Sequence, residues 1–414
     1  MRDMPSANKM VEATRLTRAG RLTEATALLQ RMLGIKPPVD KTSGSTGNTV
    51  STGTEPPIID ARAGSEERDR PPSSRVGIDS RPQPHMLHGL SALLDWVKRS
   101  GRGLRDLVQP APLGTPDIVP KGGKFIEATY SNPAGTRSYK LYIPSGYHGQ
   151  AIPLVIMLHG CTQSADDFAA GTRMNLVAEQ QTCLVAYPVQ SSEANAAKCW
   201  NWFRPGDQQR GRGEPSLIAG ITRQVMRDYS VDPQRVYIGG LSAGGAAAAV
   251  MGATYPDLYA AIGVHSGLAC GAAKDLQSAF TAMRQGDLTA SGLGGAATVS
   301  GHEPAVPIIV FHGDRDNTVH PRNGDQVIAQ RRTASMQKTV HRGRVPGGHA
   351  YTRTIHTDAS ARTIFEHWEI HGAGHAWSGG SPAGSYTDPR GPDATREMLR
   401  FFLEHQNPAH DERR

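Results

Sequence analysis

Gly240-Leu241-Ser242-Ala243-Gly244 constrains this chain more than any other stretch. It follows a short apolar run, Val236-Tyr237-Ile238, and leads into Gly245-Ala246-Ala247-Ala248-Ala249-Val250. The pattern reads as strand, sharp turn and helix. A serine at the apex of such a turn needs neighbours without side chains two residues to either side, so that strand and helix can approach. The helix then points its first amides at the place where negative charge would develop. Ser242 is therefore a candidate nucleophile. A plain glycine-rich strand-to-helix turn also satisfies the pentapeptide, since the chain holds 46 glycines. A dinucleotide-binding loop fits less well, because Gly240 to Gly245 lacks the Gly-x-Gly-x-x-Gly spacing.

Three further segments bear on the choice. Pro153-Leu154-Val155-Ile156-Met157-Leu158 is a continuous apolar run ending in His159-Gly160-Cys161-Thr162-Gln163, the pattern of a buried parallel strand and its turn. Pro307-Ile308-Ile309-Val310-Phe311 is another such run, and it ends in His312-Gly313-Asp314-Arg315-Asp316-Asn317-Thr318-Val319. A carboxylate in a loop of this kind orients and stabilises a catalytic imidazole. Asp316 stands further into the loop and suits that role, whereas Asp314 reads as a turn-forming aspartate. His375 comes last, between glycines and small residues that suit a loop carrying an imidazole over the serine. The order Ser242, Asp316, His375 resembles the chain order of the α/β-hydrolase triad. That resemblance makes Ala243 one oxyanion-hole donor and Cys161 or Thr162 the other. A rival reading takes His367, His371 and His375 as a metal face on a helix. The apolar spacing of Ile364, Phe365, Trp368 and Ile370 predicts a strand instead, and Gly372 and Gly374 break any helix. No metal or organic cofactor is expected.

Taken together, Leu158 to Gln163, Cys199-Trp200-Asn201-Trp202-Phe203, Gly211-Arg212-Gly213-Glu214-Pro215, Gly240 to Gly245 and Gly374-His375-Ala376-Trp377-Ser378-Gly379-Gly380 resemble the poly(3-hydroxybutyrate) depolymerase family of esterases. These are relatives of feruloyl and acetylxylan esterases. The resemblance runs from about Lys121 to about His405. It implies an α/β-hydrolase fold and a serine esterase. It makes His159, Trp200, Trp202 and Trp377 candidate substrate-binding residues, with core packing as the plainer reading of the rings. Cys161 and Cys199 lie in two motifs that meet near the implied site, which motivates a disulfide between them as a hypothesis. Cys183 precedes the apolar run Leu184-Val185-Ala186-Tyr187 and reads as a small core residue.

At 414 residues the chain holds one large domain plus extras. Residues 118–407 read as the catalytic domain, with alternating strands and helices that imply a mostly parallel sheet covered on both faces. Phe125 to Thr129 and Ser138 to Ile143 form an expected antiparallel pair; Ser216 to Tyr229 is an expected helix and Ala260 to His265 a strand. Ala394 to His405 is an expected closing helix, capped by Asp393. Residues 271–305 read as a flexible cover or a surface insertion. A helical and disordered extension precedes the domain. Residues 1–35 read as a helical hairpin and 36–85 as a disordered linker. Residues 86–117 hold a short amphipathic helix with a basic end and a connector. That helix packs on the domain or attaches to a polyester granule or membrane face through 86–105.

The N-terminus lacks the apolar core of a signal peptide, so the expected location is cytoplasmic, with extracellular as the alternative set by secreted relatives. The chain carries a net charge of +7, yet no basic cluster is interleaved with aromatics, so nucleic acid is not an expected partner. The expected substrate is a polyester or a small ester. The leading function is hydrolysis of poly(3-hydroxybutyrate)-type esters or their oligomers through an acyl-enzyme on Ser242. The alternatives are a feruloyl or acetylxylan esterase and a binding protein on the same fold without activity.

Overall fold

The computed structural model describes residues 118–286, 306–330 and 335–410. The hairpin at 1–35, the linker at 36–85 and the amphipathic segment at 86–117 lie outside the described residues, as does 287–305.

The described chain opens with an antiparallel hairpin, β1 (Lys124–Asn132) and β2 (Gly135–Ile143). Then come β3 (Ile152–Leu158), α1 (Ala165–Thr172), α2 (Met174–Gln181) and β4 (Leu184–Pro188). A short turn (Pro205–Gln208) leads into α3 (Gly213–Asp228), β5 (Val231–Leu241), α4 (Ala243–Thr254) and β6 (Ala261–His265). Next are α5 (Leu276–Gln285), β7 (Ile308–Gly313) and α6 (Arg322–Ala329). The chain continues with β8 (Gln337–Arg344), β9 (Ala350–Thr357) and β10 (Thr363–His371). Two short strands, β11 (Trp377–Ser378) and β12 (Thr387–Asp388), precede α7 (Ala394–Leu403), which Asp393 caps by accepting from Arg396 N.

One sheet of ten strands runs β1-β2-β4-β3-β5-β6-β7-β10-β9-β8. The central strands from β4 to β10 are parallel, and antiparallel pairs flank them on both sides. Alternation along the central strands divides the core into two layers. Leu154, Ile156 and Leu158 of β3 face one layer with Ile218 and Ile221 of α3 and Met251 of α4. Val155 and Met157 face the other with Phe168 of α1 and Met398 and Phe402 of α7. Helices therefore cover both faces, which explains why these strands read as unbroken apolar runs.

β8 and β9 have no counterpart in the sequence reading. β8 is exposed along nearly its whole length, so it carries no apolar stripe that a periodicity argument detects. Its ladder with β9, and β9's with β10, hold it in place. The parallel strands bring the ends of β3, β5 and β7 to one edge of the sheet, where open α/β sheets place their sites.

Candidate active site

The turn after β5 has the strained geometry that a nucleophile needs for exposure. Ser242 sits at φ 58° and ψ −119°, between Leu241 of the strand and Ala243 of the helix. Such a conformation costs on the order of 1–3 kcal/mol for a residue with a side chain. Its surroundings hold it there. Ser242 N donates to His265 O at 2.8 Å, and Ala246 N donates to Ser242 O at 2.9 Å. The flanking glycines are required by close approach. A Cβ on Gly240 would lie 2.6 Å from Leu158 O, and one on Gly244 would overlap that same carbonyl.

The loop after β7 supplies the carboxylate. Asp316 Oδ1 accepts from Thr318 N at 2.9 Å and Val319 N at 2.8 Å, and Oδ2 accepts from His375 Nδ1 at 2.7 Å. His312 Nε2 stands 3.4 Å from the same Oδ2 and donates to Val319 O at 2.8 Å. The Asp316 side chain is fully buried and His375 shows 11% of its surface. Burial alone would raise the Asp316 carboxyl. The charge and hydrogen bonds of His375 and His312 override it and hold the group far below the usual carboxylate range. An ionised carboxylate only accepts, so the Asp316 contact places a proton on Nδ1 of His375 and leaves Nε2 as the candidate base. Asp314 has a different task. Its carboxylate accepts from Gly372 N at 2.7 Å and meets His371 Nδ1 at 3.1 Å, bracing the start of the loop that carries His375.

Ser242 and His375 face one crevice together with Cys161 and Ala243. Both Cys161 and Ala243 line the crevice and so remain the candidate oxyanion donors. The Thr162 amide is not one, and this corrects the sequence expectation: Thr162 N already donates to Ala197 O at 2.7 Å, from a backbone at φ 67°. Cys161 and Cys199 form a disulfide that joins this turn to the loop ahead of α3. Cys183 is buried in the core, and burial pushes its thiol up to about 12.

The crevice encloses ≈ 880 Å³ of space open to solvent. Trp202 and Phe203 form part of its wall, as do Leu276, Phe280 and Met283 of α5. Among the described residues, no Asp, Glu, Lys or Arg lines it. Part of the 271–305 insertion is thus part of the crevice wall. The sequence reading leaves this segment open between a cover near the site and a surface insertion, because Leu276, Phe280 and Met283 are spaced as an ordinary amphipathic helix.

Three candidate substrate contacts lie away from this crevice. His159 is 1% exposed, and burial pushes its imidazole down to about 4. Its Nδ1 donates to Gly160 O at 2.8 Å and its Nε2 accepts from Gln190 N at 3.1 Å, so it is a neutral strut. Trp200 is fully buried and donates its indole N–H to His159 O at 3.1 Å. Trp377 is buried, donates to Thr395 Oγ1 at 2.9 Å and stacks on His265 at 4.9 Å. All three close the core beneath the loops, and ring type alone does not separate that role from binding. Trp202 does face the crevice. The three spaced histidines diverge: His375 meets Asp316, His371 meets Asp314 and Thr352, and His367 lies 3.6 Å from Asp325. His367 and His371 share a face of β10 but stand four extended residues, roughly 13 Å, apart, and His375 lies beyond the turn that follows the strand.

Known proteins resemble this chain across the same region. The family model described as Esterase PHB depolymerase matches residues 137–342. Poly(3-hydroxyalkanoate) depolymerase C of Paucimonas lemoignei is 36% identical over 250 residues, which is 59% of this chain and 59% of that protein. Feruloyl esterase B of Neurospora crassa is 29% identical over 244 residues, 56% of this chain and 80% of that protein. Probable acetylxylan esterase A of Neosartorya fischeri is 29% identical over 205 residues, 47% of this chain and 54% of that protein. The chain therefore spans little more than half the length of the first and third of these relatives. The solved acetyl xylan esterase from Aspergillus awamori matches with a TM-score of 0.52 at 19% identity, covering 68% of this chain and 99% of that one, a likeness of fold.

Proposed function

The α/β domain of this chain belongs to the Esterase PHB depolymerase family, and from that premise we propose that it is a serine esterase acting on uncharged, largely apolar esters of the hydroxyalkanoate polyester type. The observation that carries the reading is a crevice lined, among the described residues, by no Asp, Glu, Lys or Arg, with Ser242 and His375 at its surface and Asp316 behind the imidazole. His375 Nε2 takes the Ser242 proton as Oγ attacks the ester carbonyl. The oxyanion forms against the Cys161 and Ala243 amides. His375 then passes the proton to the leaving alcohol, and water, activated by the same imidazole, releases the acid from the acyl-enzyme.

The test is release of soluble acid from two substrates in parallel, 3-hydroxybutyrate oligomers and feruloylated or acetylated xylan fragments. Wild type and Ser242→Ala are run side by side. We expect cleavage of the oligomers, reduced by at least ~10⁴-fold in the variant. Cleavage of the xylan esters alone would move the substrate to the second reading. That reading has its own support in the feruloyl and acetylxylan relatives and in aromatic rings suited to an aromatic acyl group. Failure of an organophosphonate to label Ser242 would favour a binding protein. The Cys161–Cys199 disulfide supports the extracellular alternative, since disulfides persist in oxidising compartments; fractionation of expressing cells decides it. Attachment to a granule or membrane through 86–105 predicts co-sedimentation that is lost when those residues are deleted.

A further inference from the structure

Glu214 stands in the first turn of α3, 6% exposed, with no place in the mechanism above. Its carboxylate gathers three donors. Oε2 accepts from Asn201 N at 2.7 Å; Oε1 accepts from Asn201 Nδ2 at 2.6 Å and from Gln190 Nε2. Gln190 Nε2 also donates to Cys199 O at 2.9 Å, and Asn195 Nδ2 donates to Asn201 Oδ1 at 3.0 Å. The segment 199–203 is thus tied at one end by the disulfide and in its middle by this carboxylate. Trp202 and Phe203, the next two residues, form part of the crevice wall.

We propose that Glu214 is the positioning residue of this wall: its ionised carboxylate holds Asn201 and so sets Trp202 and Phe203 against the acyl portion of a neutral ester. The inference rests on the esterase reading for the identity of the ligand. The chemistry of the site requires the ionised form. All three partners are N–H donors, so a protonated Glu214 leaves an O–H with nothing to accept it, and an amide must rotate away. The charged groups around it are few. Arg137 of β2 places Nη2 3.8 Å away, at the limit of an ion pair, and shows 9% of its side chain. Asp207, in the turn Pro205–Gln208, accepts from Glu214 N at 2.8 Å and adds a second negative group. His159, across Gln190, is neutral throughout this range. Burial, with the Asp207 charge added, raises Glu214 to about 7. The clamp therefore tightens as pH rises through neutrality.

The test measures binding and turnover separately, on the full chain. Binding of a methyl-capped, non-ionising 3-hydroxybutyrate trimer to Ser242→Ala is followed by tryptophan fluorescence and calorimetry between pH 6 and 8. The same titration is run on Ser242→Ala/Glu214→Gln. With one proton titrating near 7, Kd should rise about tenfold from pH 8 to pH 6. In the double variant, the amide that replaces the carboxylate would turn its own N–H toward the Asn201 N–H. Its Kd should be about tenfold weaker at pH 8 and flat with pH. A pH-flat Kd in the single variant overturns the proposal, as does a double variant that keeps the profile of the single one. Should the double variant fail to fold, the pH profile of Ser242→Ala decides alone. Wild-type turnover of p-nitrophenyl acetate, a small ester that does not fill the wall, is measured alongside. Absent turnover with a pH-dependent Kd defeats the esterase reading only, and turnover with a flat Kd defeats this inference only.

Discussion

Asp316 and Glu214 are both buried carboxylates beside the same crevice, and their environments push them in opposite directions. Asp316 faces two imidazoles and two backbone amides, and is held ionised far below the usual range. Glu214 faces three neutral donors, a distant arginine and a second carboxylate, and burial raises it to about 7. Burial is common to both, so the difference lies in the countercharge. One group stays charged throughout the working range and supports chemistry. The other changes charge within that range and governs the shape of a wall.

The largest expected effect falls on the first of the pair. Asp316→Asn keeps the shape but presents an amide to His375, favouring the wrong tautomer, so kcat should fall by about 10⁴-fold with little change in the circular dichroism spectrum. The same variant should alter acid stability. A carboxyl depressed in the folded state stabilises above its unfolded value near 3.8 and loses that contribution as pH falls through its folded value. Urea melts between pH 5 and 2 should therefore show a shallower acid loss in Asp316→Asn than in wild type. A kcat within tenfold of wild type would remove Asp316 from the site.

The disulfide tests whether the two ties on segment 199–203 are independent. It closes a separation of 38 residues, and replacing both cysteines by serine should cost about 2–4 kcal/mol in urea unfolding. The pH dependence of trimer binding should survive, because Glu214 still holds Asn201. A profile that disappears with the disulfide would make the carboxylate a passenger on the covalent link.

Glu214 carries a stability signature of the opposite sign to its proposed role. A carboxyl raised in the folded state binds its proton more tightly there than in the unfolded chain, whose value lies near 4.5. Below 4.5 both states are protonated, and above about 7 both are ionised. Between them the folded state holds more protons, so stability falls as pH rises. The loss amounts to up to about 3 kcal/mol across the window. Melts of wild type and Glu214→Gln from pH 4.5 to 8 should diverge by that order, with wild type declining relative to the variant. Parallel melts would mean that Arg137 neutralises the group more fully than its distance suggests. The clamp is thus tightest where it weakens the fold most, as expected of a group kept for position rather than stability.

The sequence reveals these two carboxylates unequally, for a physical reason. Ser242, Asp316 and His375 each follow an apolar run at a strand end, and the chemistry limits which residue types serve there. Asp316 is legible from its loop alone. Glu214 lies in the resembling stretch Gly211 to Pro215, but its role depends on Asn201 and Gln190, and pairing at such separations has no periodic signature. The central strands were legible because both faces are buried. β8 and β9 were not, since their ladder, and no apolar stripe, holds them. His159, Trp200 and Trp377 show the converse limit: residue types that suit a binding site also suit the packing beneath it.

Asp314 provides the smallest and sharpest contrast. It stands two residues before Asp316, in the same loop, and it too meets a histidine. Yet about a third of its side chain is exposed, and its partners are His371 Nδ1 and Gly372 N rather than the base itself. Contacts open to water at this level contribute about 0–1 kcal/mol. Asp314→Asn retains an oxygen that can accept from Gly372 N, so the turn leading to His375 should keep its course. The expected loss is under about 1 kcal/mol in urea unfolding and less than about threefold in kcat on a soluble ester. Gly372, at φ 84°, already holds the bend by its own backbone, which is a second reason for a small effect. A loss approaching that of Asp316→Asn would show that the imidazole depends on the brace as much as on its direct partner, and the separation of roles within this loop would then collapse.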